Sequence, residues 1–152
     1  MPTWSPEQYL LFAEDRTRPS RELAARVRTE HVSTIVDLGC GPGNSTAVLA
    51  ELWPDATITG LDSSVEMLDQ AHRMYPQHKW VHRNISEWAA ATVEPYDLVF
   101  SNAALHWIAD HATLYPRLFA RVAAGGTLAI QVPYNWDEPF HRTLCDLESS
   151  SA

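Results

Sequence analysis

The chain is short of basic residues, of cysteine and of long apolar runs, and each shortage excludes something. Lys and Arg number 11 against 19 Asp and Glu, a formal net charge of -8, so the overall field repels a phosphate backbone and no nucleic-acid partner is expected. No apolar stretch approaches the about 20 residues that cross a bilayer, and no charged start leads into an apolar segment. Neither a membrane partner nor a secretory signal is therefore expected, and a cytoplasmic location follows by default. The two cysteines, Cys40 and Cys145, are far apart, and Cys40 sits inside a glycine loop, which argues against a disulfide framework and suits a reducing compartment. Histidines number 7, yet no Cys-x-x-Cys accompanies them, and His78 and His82 fall where a strand is predicted rather than on one helical face, so no metal is expected.

What is there is enough for one domain with its own core: 152 residues, 45% of them hydrophobic. Ser5-Pro6-Glu7-Gln8 offers a cap, a proline at the first helical position and a Gln able to bond back, which predicts a helix start. After "DRTRP", Leu23 and Val27 repeat at helical spacing through "SRELAARVR", predicting a second short helix. Residues 1–30 thus read as an amino-terminal helical arm, and 31–152 as the main domain. From residue 34 strands and helices alternate: strand "TIVDL", a helix from about Asn44 to Leu52, strand "ATITGLD", a helix from Ser64 to Tyr75, and strand "KWVHR". Ser63-x-x-Glu66 reads as a capping box, which puts the cap at Ser63 and Asp62 at a strand end. Strand "YDLVFSN" then leads through Ala103–Trp107 to a helix starting near Asp110, and "GGTLAIQV" makes a fifth strand.

Strands alternating with helices demand right-handed crossovers and a parallel sheet covered on both faces, with ligands bound at the strands' carboxyl ends. "VDLGCGPGN" joins the first strand to the first crossover helix, where glycines let a ligand approach the main chain. The run Gly39-Cys40-Gly41-Pro42-Gly43 departs from the dinucleotide fingerprint G-x-G-x-x-G. Asp37, two residues ahead, would attract an ammonium rather than a pyrophosphate. Asp62, ending the second strand, is placed to accept from a ribose diol, as acids there do in nucleotide-binding folds. An amino acid joined to a nucleoside satisfies both.

At these residues the chain resembles the class I S-adenosylmethionine-dependent methyltransferases, whose first motif is an acid followed by G-x-G-x-G and whose second is a strand-end acid. Within that family the segments "DRTRP", "VDLGCGPGNST", "LDSSVEML", "SNAALHW" and "VPYNWDEP" are most similar to members that methylate a carboxylate of a small polycarboxylic acid. The resemblance implies a Rossmann-like α/β fold with an open parallel sheet in the order 3-2-1-4-5, and S-adenosylmethionine as methyl donor. It implies that Asp37, Gly39, Cys40, Gly41 and Gly43 surround the methionine part, that Asp62 holds the ribose, and that Ser63 and Met67 border the adenine. Asn84 and Ile85 occupy the third motif, where the family usually has an acid; an amide oxygen at Asn84 still accepts from the adenine amine, without charge assistance. Asn102 would sit near the transferred methyl.

A carboxylate acceptor is ionised at neutral pH, so no general base is required and no catalytic residue is assigned; His106 reads either as a base or as an ordinary capping or packing histidine and is not counted as catalytic. A polyanionic substrate needs local arginines in so acidic a domain; Arg16 and Arg18, between the two predicted helices, are the candidates, and Trp107 joins them at the acceptor side. Three other readings stay open: a methyltransferase for a different small acid, a non-catalytic cofactor-binding module, and a nicotinamide dehydrogenase, for which the glycine spacing is wrong. The family normally adds two further strands, and this sequence ends at "CDLESSSA"; on that reading strand five is an open apolar edge, and self-association is expected, either as a homodimer through that edge or as aggregation.

Overall fold

In the computed structural model the described residues are 13–92 and 94–134, with only the backbone described for 13–16. They form α1 (Ala13–Ala24), β1 (Thr34–Leu38), α2 (Asn44–Leu52), β2 (Thr57–Asp62), α3 (Val65–Met74), β3 (Lys79–His82), α4 (Ile85–Ala90), β4 (Tyr96–Asn102), a single 3-10 turn (Leu105–Trp107), α5 (His111–Phe119) and β5 (Val122–Gln131). The five strands are all parallel, in the order β3-β2-β1-β4-β5. The expected sheet is therefore the observed one.

Both faces of the central strands are covered, which is why β1 reads as a nearly unbroken apolar run. Ile35 turns to one face and packs with Val48, Leu49, Ile58, Leu98 and Phe100. Val36 and Leu38 turn to the other and pack with Leu61, Trp88, Val99, Leu114 and Leu118. Asp37 shares the face of Ile35 by strand alternation and so looks toward α2. The chain leaves β1 for β2 on one side and reaches β4 on the other, so the strand order reverses between β1 and β4, at the carboxyl end where a crevice forms.

Three expectations are corrected. "DRTRP" is not a connection between helices: α1 runs through it with Pro19 inside. Ser20 and Ala24, one turn apart, are 1% and 2% exposed, and their burial fixes the helix despite the missing proline N–H. The helix stops at Ala24 and tightens into short-range turn bonds up to Val27, which still packs against the core. The cap of α3 is Ser64, whose hydroxyl accepts from the Met67 N–H, rather than Ser63. Between β3 and β4 lies a helix that was not expected, α4. It is only six residues long, so periodicity is silent, but Asn84 three residues before Glu87 was a cap signal. The helix start expected at Ser5, Cys145 and the part of "VPYNWDEP" from Asn135 onward lie outside the described residues.

Thr17, Asn44 and Ala47 line one cavity of about 230 Å³, while Arg21 reaches Glu51 at 2.6 Å. The helices α1 and α2 thus run side by side in the same direction, and the start of α1 lies near the start of α2. Among the described residues no helix is long and apolar enough to cross a membrane, and no cluster of metal-ligating side chains is found.

Candidate functional site

The glycine loop is built from its own backbone. Gly39 and Cys40 both donate to the Leu61 carbonyl, at 2.8 and 3.1 Å, and Gly43 donates to Cys40. Gly41 donates to Asp62 Oδ2 at 2.8 Å. Pro42 has no N–H, so every amide from Gly39 to Gly43 is spent within the fold. A phosphate cradle needs such amides free. Gly39 is required by space as well as by its φ of +72°, because a Cβ there would fall 2.3 Å from the Ala104 Cβ, across the crevice from β4. Gly39→Ala is expected to cost about 2 to 5 kcal/mol from the left-handed conformation and the overlap together, read as a lowered denaturant midpoint.

Asp37 has no exposed surface. Its Oδ2 accepts from the Ser45 hydroxyl at 2.6 Å and from the Thr46 hydroxyl at 2.7 Å, both in the first turn of α2. Its Oδ1 is buried with no partner among the described residues. Burial pushes this carboxyl up to about 6; the two hydroxyls pull it back in part, and the charge of Asp62 adds to the rise. Burial likewise pushes the Cys40 thiol well up, with the charges of Asp37 and Asp62 behind it, so Cys40 is an unreactive packing residue in the loop.

Asp62 ties two elements together. One oxygen holds the Gly41 N–H and the other the Ser64 N–H at 2.9 Å. A carboxylate offers about four acceptor positions, so each oxygen keeps one for a hydroxyl donor. Next to it Ser63 is exposed, while Met67 is 4% and Ile85 8% exposed. The Asn84 Oδ1 accepts from the Ser86 N–H at 2.8 Å and caps α4, so this oxygen is committed in part to the fold. Asn102 ends β4 with its Oδ1 buried and unpartnered among the described residues. Ala103, which follows, has a φ of 55° and turns the chain sharply away from the sheet.

The structure therefore gathers Asp37, the glycine loop, Asp62, Met67, Asn84 and Asn102 at the carboxyl ends of the parallel strands. The residues expected on the acceptor side, Arg16, Arg18 and Trp107, are spread over other elements. Arg18 stands exposed on α1, 3.7 Å from Glu22 of the same helix, and the side chain of Arg16 lies outside the described residues. Trp107 is 72% exposed on the turn after β4, its ring 4.8 Å from that of His106. Partial burial lowers the His106 imidazole, which favours its neutral form. Sequence reasoning missed Ser45 and Thr46; hydroxyls in a first helical turn look like ordinary helix-start residues until the strand acid is seen to face them.

A crevice with two carboxylates, two buried acceptor oxygens that have no partner among the described residues, and no free amide from Gly39 to Gly43 suits a cation carrying hydroxyl and amine donors. Residues 35–126 match the methyltransferase domain family, and the chain belongs to it. Among its relatives, the trans-aconitate 2-methyltransferase of Azoarcus sp. (strain BH72) is 53% identical over 144 residues, which cover 95% of this chain and 56% of that protein. The trans-aconitate 2-methyltransferase of Klebsiella pneumoniae (strain 342) is 48% identical over the same shares. The chain thus spans a little over half the length of these relatives. Among solved structures, Streptomyces venezuelae DesVI superposes with a TM-score of 0.72 at 17% identity, covering 88% of this chain and 59% of that one. The plantazolicin methyltransferase BpumL, solved with SAH, gives 0.62 at 19% identity, with 82% and 48% covered. These two share the fold.

Proposed function

We propose that this chain binds S-adenosylmethionine and serves methyl transfer to a carboxylate of trans-aconitate. The observation that carries the cofactor half is the pairing of Asp37 and Asp62 around a loop whose amides are all internally bonded, which favours a cation with a sugar diol over a pyrophosphate. The acceptor half rests on the relatives' names and on the 53% identity over nearly the whole chain. When bound, S-adenosylmethionine supplies a methyl group on a positively charged sulfur. Asp62 would accept from the ribose hydroxyls on the positions left beside its two backbone bonds. Met67 and Ile85 would flank the adenine, and Ser63 would border it. Asn102 would present its unpartnered oxygen near the sulfur. An ionised acceptor needs no proton removed, so what remains for the chain is alignment and exclusion of water.

On this reading Arg16 and Arg18, both on the helix α1 that packs along α2, meet the carboxylates of the acceptor. Arg16→Ala and Arg18→Ala are expected to raise the KM for trans-aconitate by about tenfold while leaving the Kd for S-adenosylhomocysteine unchanged, since arginine forks grip carboxylates in a planar, bidentate way. Equal loss of both affinities would make α1 part of the cofactor site instead. Transfer of labelled methyl into a panel of small acids tests the substrate: ester formation on trans-aconitate above the others is the expected result, and preference for another acid would replace the acceptor assignment.

A further inference from the structure

Asp37 poses a geometric problem: its charge belongs to the site, yet none of its surface is exposed. Thr46, one of its two hydroxyl donors, is also fully buried. Ser45, the other, is only partly buried and stands at the outer edge of this cluster, directly after the glycine loop. A serine hydroxyl that donates one bond keeps two lone pairs for incoming donors, and a carboxylate partner makes it a stronger acceptor. We propose that Ser45 is a further cofactor-binding residue, whose hydroxyl donates to Asp37 and accepts from the ammonium of the cofactor's methionine part, so that a buried charge reaches the ligand through one exposed side chain.

This rests on the cofactor reading above. It also explains why Asp37 carries both of its hydrogen bonds on one oxygen, Oδ2, the one nearest α2. The charge relayed is sensitive to pH, because burial holds the Asp37 carboxyl up to about 6. The other titratable groups bearing on it are Asp62 at the end of β2 and the Cys40 thiol in the loop; α2 gives it the Ser45 and Thr46 hydroxyls, and on its face of β4 stand Phe100, its register partner, and Asn102.

The test is calorimetric titration of the 152-residue chain and its Ser45→Ala and Ser45→Thr variants with S-adenosylhomocysteine between about pH 5 and pH 7.5, where an α-amino group stays charged. Wild-type affinity is expected to rise with pH as Asp37 ionises. Ser45→Ala should bind about tenfold more weakly or worse, and the pH at which affinity rises should move upward, because a hydrogen bond favouring the anion is gone. Ser45→Thr keeps the hydroxyl and should restore both. Wild-type affinity in Ser45→Ala would overturn the proposal, as would weaker binding with an unmoved pH midpoint, the mark of a merely structural role. Failure of the cofactor reading looks different: the wild-type chain then takes up no S-adenosylhomocysteine at any pH.

Discussion

Asp62→Ala is expected to weaken S-adenosylhomocysteine binding by about 10- to 150-fold, the loss of charge-assisted hydrogen bonds of about 1.5 to 3 kcal/mol. The sequence suggested only the ribose contact; the structure adds that the same carboxylate anchors Gly41 and the start of α3. The two roles separate in a double-mutant cycle with a ligand lacking the ribose 2′-hydroxyl. If Asp62 holds the diol, the wild-type chain loses affinity for that ligand and the alanine variant loses little more. If Asp62 only anchors the loop, both chains lose alike. An unchanged Kd in a folded Asp62→Ala chain contradicts both roles.

Asp37→Asn is expected to separate stability from binding. The carboxyl titrates near 3.8 in an unfolded chain and at about 6 when folded, so its ionisation opposes folding. The stability it contributes is fully present below about pH 4 and is lost as pH rises through about 6, a change of about 3 kcal/mol. Asparagine does not ionise. The unfolding free energy of Asp37→Asn relative to wild type should therefore rise by about 2 kcal/mol between pH 4 and pH 7, whatever constant offset its amide introduces. Denaturant titration across that range measures it, and a flat difference would show that Asp37 is not held in a desolvated site. Cofactor affinity at neutral pH should fall in the same variant, as the proposed use of this charge by the ligand requires.

How far the residues announced all this differed from element to element. The strands β1 and β4 match their expected spans, because a parallel strand buried on both faces leaves a run of apolar residues bounded by turn-formers. The places of the glycine loop after β1 and of the acid ending β2 were legible for a different reason: a tight strand-to-helix turn needs glycines, and an acid interrupts an apolar strand only at its end. Of α1 only the second half was legible, as the short helix expected from Ser20, because the first half leads through Pro19, which argues for a break, and the buried Ser20 and Ala24 are small residues that carry no strong hydrophobic signal. The helix α4 was too short to show a period. Nothing in the sequence tells that Asp37 is sealed from solvent, since that depends on α2 closing over it with Ser45 and Thr46. Asn84 was expected as an adenine acceptor; its oxygen is also the cap of α4, a use visible only once the helix exists.

The central claim is that this site is made for a cationic nucleoside amino acid and not for a dinucleotide. Calorimetric titration of the 152-residue chain at pH 7.5, with S-adenosylhomocysteine and with NADH in parallel, tests it most directly. The expected result is saturable one-site binding of S-adenosylhomocysteine, with a Kd between about 1 μM and 1 mM as is usual for enzyme ligands, and no heat from NADH. Binding of NADH with none of S-adenosylhomocysteine would contradict the account.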